Sequence, residues 1–259
     1  MKSKKKINRH GPKKPGYPRR EMSHRPNVFT IKSWSAIQEF LKHKPVSIKE
    51  IHARDEWQVR VKTWVDQHPD INVTIIGQSD IEMEDVHPVT ALVKLDLGDE
   101  ISLIDRLRPD AEMILVLDHI TDPRNLGAIA RNAAFFGIKE IVAPKDRQVL
   151  LTDASVQTSQ GAFSKVNLTV VTNISRFIEQ MKAKDFWVLG TKMDGEPIHE
   201  VGSMYEKVIL VMGSEDNGLS KIVEKKCDRL LSIPGVGGFD SLNVSVAAGI
   251  AIYALLPKT

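Results

Sequence analysis

VILVMGSEDNGLS, residues 208–220, runs five apolar residues straight into Gly213, then the acids Glu215 and Asp216 and a second glycine, Gly218. Five apolar positions with no polar break are too short for a helix and read as a strand buried on both faces. Gly213 lets other backbone approach closely, and ligands of parallel α/β sheets bind beyond the carboxyl ends of the strands. Taken alone, the segment is equally an ordinary strand-to-helix turn. Its neighbours along the chain repeat the pattern. Residues 113–117 (MILVL), 140–143 and 186–189 are also short apolar runs, and helix-like stretches separate them. Buried strands alternating with helices predict an α/β domain built on a mostly parallel sheet.

Two further segments lie outward from this one. Residues 118–137, DHITDPRNLGAIARNAAFFG, read as a helix that Thr121 or Asp122 can cap. Pro123 then falls where a missing N–H costs nothing, and Gly137 closes the far end. Leu126, Ile129, Ala130, Ala133 and Phe136 form the expected buried face, while Arg124, Ala128 and Arg131 share another stripe at i, i+4 and i+7. Arginines so placed suit phosphate, because the planar guanidinium can bind two oxygens; a solvated helix face has the same composition. Residues 233–256, IPGVGGFDSLNVSVAAGIAIYALL, combine a pliable glycine loop with an apolar helix that Ser241 is expected to cap. Ser241 and Asn243 set two polar groups at its start. The loop has neither the spacing of a Walker motif nor that of a dinucleotide fingerprint.

The N-terminal part differs in composition. Residues 1–26 carry ten Lys/Arg against one acid, Glu21, a balance of +9, whereas the other 233 residues carry 26 against 32, a balance of −6. With four prolines and almost no aliphatic side chains, this arm cannot bury enough apolar surface to order alone, and its charge suits a polyanion such as RNA. Residues 27–97 predict a small α/β unit. Its strands fall near 28–31, 48–51, 73–76 and 91–95, with a helix from 34 to about 41, capped by Ser33, and another over 57–64. Residues 98–112, of mixed charge, read as a linker, and 113–259 as the larger domain. No apolar run is long enough to span a membrane, and the basic start lacks the apolar core of a secretion signal, so the expected location is cytoplasmic. Cys227 is the single cysteine, which excludes an internal disulfide and a cysteine metal site. The eight histidines are scattered, and no metal cluster is expected; His119 reads as structural.

Together, TDPRNLGAIARNA, LVMGSEDNGL and IPGVGGFDSLNVSVAAG closely resemble, in order, the three motifs of the SpoU (TrmH-like) family of RNA ribose 2′-O-methyltransferases. The likeness covers residues 113–259. A weaker one reaches 27–97, which looks like the family's small RNA-substrate-binding domain. The domain plan is most similar to members that methylate a guanosine of large-subunit ribosomal RNA. The resemblance implies a SPOUT-type parallel sheet whose C-terminal segment threads a trefoil knot, a feature general topology argues against. It further implies a homodimer and S-adenosylmethionine as cofactor, without metal. Gly213, Ile233 and Leu242 match the family's cofactor-binding positions; Asn125, Arg131, Glu215, Ser241 and Asn243 match its catalytic and substrate-positioning residues. Guanidinium does not deprotonate in proteins, so Arg131 is expected to hold the target phosphate, oriented by Glu215. The third motif has Val236 where relatives commonly carry methionine, and residues 86–91 lack the family's His-Gln-Gly stretch. Those departures and the arm leave the RNA open: transfer RNA is an alternative to ribosomal RNA, as is a catalytically silent RNA-binding or ribosome-assembly protein.

Overall fold

The computed structural model describes residues 27–76, 87–107, 112–146, 151–202, 205–238 and 241–256; the basic arm and the variant stretch up to Val86 lie outside the described residues. Two sheets organise the chain. The smaller has four strands, β1 (Val28–Ile31), β2 (Ile48–Arg54), β3 (Asn72–Ile76) and β4 (Val89–Lys94), in the order β1-β4-β2-β3. β4 runs antiparallel to β1 and β2, and β3 parallel to β2. Helix α1 (Trp34–His43) buries Ala36, Ile37, Phe40 and Leu41, the i, i+3/i+4 stripe of an amphipathic helix. Helix α2 (Gln58–Val65) buries only Val61 and Val65.

The larger sheet has six strands: β5 (Glu112–Leu117), β6 (Glu140–Pro144), β7 (Asn167–Val171), β8 (Trp187–Pro197), β9 (Lys207–Met212) and β10 (Arg229–Ser232). Its order is β10-β8-β9-β5-β6-β7, and every pair is parallel. Residues 114–117 and 208–212 are at most 3% exposed, as expected of strands covered on both faces. β7 and β10 add to the four runs read from sequence. β10 is only RLLS, and β7 opens on a polar residue, so neither offers a continuous apolar run. Helix α4 (Pro123–Phe135) follows β5 and α9 (Val244–Leu255) closes the described chain; the two pack together.

The segment read as a linker is different. Residues 100–106 form helix α3 (Glu100–Arg106), N-capped by the Asp99 carboxylate, which accepts from the Ser102 N–H at 2.9 Å. Leu103 is fully buried against the large sheet, and Gly98 pairs with β7, its N–H donating to the Leu168 carbonyl at 2.8 Å. Arg106 grips the buried carboxylate of Glu140 with two bonds of 3.1 and 3.0 Å, and Asn167 donates to it at 2.8 Å. A buried carboxylate is costly without such donors. Mixed charge concealed one apolar anchor and one internal ion pair.

The small sheet is fastened to the large unit through helix α5 (Asp153–Thr158) and the turn after it. The Thr30 N–H donates to Asp153 at 3.3 Å, and the Gln157 side chain returns a bond to the Thr30 carbonyl at 3.2 Å. Lys165 pairs with Glu39 at 2.5 Å. Gly161, at φ +91°, brings its backbone against α1, where an added Cβ would lie 3.0 Å from the Ala36 Cα and carbonyl oxygen.

Candidate active site

Three loops leave the carboxyl edge of the large sheet. After β5, Asp122 caps α4 by accepting from the Arg124 N–H at 2.8 Å, with Pro123 at the first helical position. The Arg124 side chain also bonds Asp122 at 3.0 Å, and this contact holds the Asp122 carboxyl below its ordinary range. At the other end Gly137 takes φ +80°, the left-handed closure expected of it.

After β9 the chain doubles back on itself. Ser214 and Gly218 exchange backbone bonds of 3.0 and 2.9 Å, and Gly218 adopts φ +62°. Gly213 is indispensable to this turn: a Cβ there would sit 2.3 Å from the Gly218 carbonyl carbon and 2.5 Å from the Leu219 nitrogen. The turn carries Glu215 near its tip. Its far end is tied down by Asp118, 1% exposed, whose carboxylate accepts from the Ser220 N–H at 2.7 Å and lies 2.6 Å from His119 Nδ1.

Glu215 is where the three segments meet. Its Oε1 accepts from Asn125 Nδ2 at 2.8 Å, from Asn243 Nδ2 at 2.8 Å and from the Val244 N–H at 3.4 Å. Asn243 Nδ2 also donates to Asn125 Oδ1 at 3.0 Å, closing a triangle. Bonds to a charged acceptor are stronger than neutral ones, and several donors on one oxygen fix its place. Asn243 uses its other amide atom to cap α9, accepting from the Ser245 N–H at 2.9 Å. The cap is therefore Asn243 and not Ser241. Ser241 stands exposed two residues before the cap, because an N-cap must immediately precede the first helical residue to reach its free N–H groups. Ser33, by contrast, does occupy its cap position, but its hydroxyl bonds Ser35.

Of the remaining expected residues, Gly213 follows β9 and Ile233 follows β10; both strands flank β8, so both residues lie at the same sheet edge. Leu242, 48% exposed, directly precedes Asn243. Arg131 is separate. Six residues beyond Asn125 is about 240° around an α-helix. Arg131 accordingly leaves α4 on another side, exposed, in an open groove with Ala128, Val246, Gly249, Ile250 and Tyr253. Among the described residues it has no ion pair or hydrogen bond, and Glu215 holds the two asparagines, so within one chain Glu215 does not orient it.

Two positions were not singled out from sequence. Asp118 was masked by the frequency of acids after strands. Asn132 donates to the Ser245 carbonyl at 2.7 Å and clamps α4 to α9. It lies seven residues from Asn125, so two amides on one helical stripe were a visible signal. Among the described residues no group of three or more His, Cys, Asp or Glu could hold a metal.

The profile of the SpoU rRNA Methylase family matches residues 112–253. A "23S rRNA (guanosine-2′-O-)-methyltransferase RlmB" of Pseudomonas syringae pv. tomato is 34% identical over 231 residues, 85% of this chain and 92% of that protein. The protein of the same name from Coxiella burnetii is 30% identical over 240 residues, 90% and 95% of the two chains. Among solved structures, the SpoU methyltransferase AviRb of Streptomyces viridochromogenes, in complex with AdoMet, superposes with a TM-score of 0.73 at 19% identity, covering 93% of this chain and 92% of that one. A TrmH-family protein of Porphyromonas gingivalis gives 0.69 at 23% identity over 92% and 91%. The matched profile takes in all of β5 to β10 and each of the three loops that converge on Glu215, and on this ground the chain belongs to the SpoU rRNA Methylase family.

Proposed function

We propose that the protein methylates a ribose 2′-hydroxyl of RNA, with S-adenosylmethionine as donor and a guanosine of large-subunit ribosomal RNA as target. The observation that carries this reading is the junction on Glu215, which draws Asn125, Asn243 and the turn at Gly213 to one sheet edge. Gly213, Ile233 and Leu242 hold the donor, chiefly through backbone. These neutral residues fit a sulfonium, since a free carboxylate against it would stabilise the cation before reaction and oppose the loss of its charge. Glu215 is an acidic residue nearby, but its Oε1 is already taken up by amide donors. When bound, the donor supplies an electrophilic methyl group.

The chain's own residues do the rest. Asn125, Ser241 and Asn243 position the ribose so that its 2′-oxygen lies in line with the methyl group. Arg131 stays protonated, so it binds the phosphate beside the reacting ribose and stabilises negative charge developing on the oxygen. Because Arg131 faces an apolar groove lined by Val246, Ile250 and Tyr253, the active form is a homodimer in which a second copy covers this face. The C-terminal segment threads a trefoil knot: β10 lies beside β8, yet the chain after it returns to Glu215 beyond β9. Residues 27–97 form the RNA-selecting domain, 113–259 the catalytic domain with 98–112 joining them, and the basic arm 1–26 adds salt-dependent affinity. The protein acts in the cytoplasm; among the described residues no helix is long and apolar enough to cross a membrane.

The test is direct. Purified protein is titrated with S-adenosylmethionine by calorimetry, and 2′-O-methylated positions are mapped in ribosomal RNA from cells with and without the gene. Saturable donor binding and one guanosine methylated only when the gene is present are the expected results. Absence of donor uptake would refute the enzyme reading in favour of a silent RNA-binding protein.

A further inference from the structure

Three of the chain's four tryptophans gather on one side of the small unit, where α1 meets α2. Trp34, in the first turn of α1, lies between the other two: its ring centroid is 5.8 Å from that of Trp57 at 68° and 6.4 Å from that of Trp64 at 88°. Trp57 immediately precedes α2, and Trp64 stands in its last turn. Trp34 and Trp57 pack partly against the core, whereas Trp64 is 38% exposed. α2 buries little besides Val61 and Val65, so core packing accounts for the inner edge of this cluster but not for the outer indole.

The charges beside it are also distinctive. The Arg60 guanidinium lies 5.0 Å from the centroid of the Trp57 ring. Many cations of the large unit are spent on carboxylates: Arg106 on Glu140, Lys182 on Asp228, Lys192 on Glu224 and Arg229 on Glu196. Arg60, beside the tryptophans, and Lys32, two residues before Trp34, have no carboxylate partner among the described residues. Asp55, Glu56 and Asp66 are nearby in sequence, so the patch is not a uniform field; its cations are simply left available.

We propose that Trp57, Arg60 and Trp64 form a stacking site for an unpaired base of the RNA substrate, with Lys32 on a flanking phosphate. The proposal rests on the RNA-methylating reading above. Unpaired bases are recognised by stacking on aromatic rings and guanidinium planes, and every base has such a face, so the site senses strandedness more than sequence. An indole whose inner edge rests on another, as Trp64 rests on Trp34, presents a rigid face at little entropic cost, and a guanidinium already stacked on Trp57 needs no rearrangement to cover a base. A duplex offers neither.

Tryptophan fluorescence tests this in the full-length protein carrying Trp187→Phe, which removes the one tryptophan outside the cluster. The probes are a twelve-nucleotide single-stranded RNA and the same sequence as a duplex. The expected result is quenching by the single strand and not by the duplex. Trp64→Ala should weaken single-strand binding about tenfold and Trp64→Phe two- to threefold, both with the salt slope unchanged. Lys32→Gln should lower the salt slope by about one while leaving the quench intact. Arg60→Gln, a surface change that spares the fold, should weaken single-strand binding as well. Unchanged affinity in both Trp64→Ala and Arg60→Gln, or equal quenching by the duplex, overturns the proposal and leaves the patch to a protein partner. Donor titration and methyl incorporation are measured on the same samples. Wild-type turnover with an unaltered KM in Trp64→Ala rejects the stacking site and leaves the methyltransferase reading standing, whereas single-strand quenching without donor uptake does the reverse.

Discussion

On one flank of α4 (Pro123–Phe135) Asn125 is 8% exposed and both ends of its amide are engaged, while on another flank Arg131 reaches into an open groove with no partner among the described residues. The same helix thus carries a finished site and an unfinished one. A buried amide must be satisfied within the fold, because leaving its polar atoms unpaired costs about 1–3 kcal/mol. An exposed guanidinium has no such obligation. It can wait for a phosphate or for a second copy of the chain. A satisfied amide and an unpartnered guanidinium are therefore separated here by less than two turns of helix.

That contrast can be broken from either side. The largest effect is expected from Gly213→Ala, which forces a methyl group to within 2.3 Å of the Gly218 backbone. The turn must open, and the polar junction on Glu215 opens with it. Calorimetry should show donor binding lost by a factor of a hundred or more, with a stability cost of about 1–3 kcal/mol by denaturant titration; an intact affinity would mean the donor does not use this turn. Next comes Asn125→Ala, which strands Glu215 and Asn243 together. We expect about 1–3 kcal/mol of lost stability and a fall in kcat of at least tenfold. Loss of stability with kcat preserved would make the junction a purely architectural device.

Arg131 should behave the opposite way. Arg131→Lys and Arg131→Ala are expected to unfold within about 0.5 kcal/mol of the parent, as exposed positions do. Both should cost at least tenfold in methyl transfer, with lysine failing because it has no fork of donors. Near-full turnover in Arg131→Lys would remove the need for that fork. The smallest effect lies at the mouth of α4. Asp122→Ala removes the cap and should cost about 1 kcal/mol at neutral pH. The Asp122 carboxyl is held low by its bonds to Arg124, so this stabilisation is fully present above the ordinary carboxylate range near pH 4 and is lost as pH falls through the depressed folded value. The difference between the two proteins should therefore shrink in acid; a constant difference from pH 7 to pH 2.5 would show that the contribution is not ionic.

How much of this could be read from the chain follows the same division. Continuous apolar runs exposed β5, β6, β8 and β9, and glycine, proline and aspartate marked both ends of α4 correctly. The residues at the junction were found because they stand in motifs, not because their spacing reveals contact: Asn125, Glu215 and Asn243 come from three distant segments. Short or polar elements escaped. β10 has four residues, and α3 hides its single anchor, Leu103, among charges. The cap of α9 was misplaced by two residues because Ser241 and Asn243 are both good caps, and only the backbone decides between them.

The bonds that join β1 to α5 have a consequence for scale. Thr30 is held through its N–H and its carbonyl, and Gly161 lets α1 sit directly on the backbone of the catalytic unit. These contacts oppose any swing of the small unit against the large one. If the small unit grips RNA, as proposed above, the interval between that grip and the ribose to be altered is set by these contacts as a gauge. On that reading target choice becomes a matter of measured length along a folded RNA, and changing the register of that joint would move the mark.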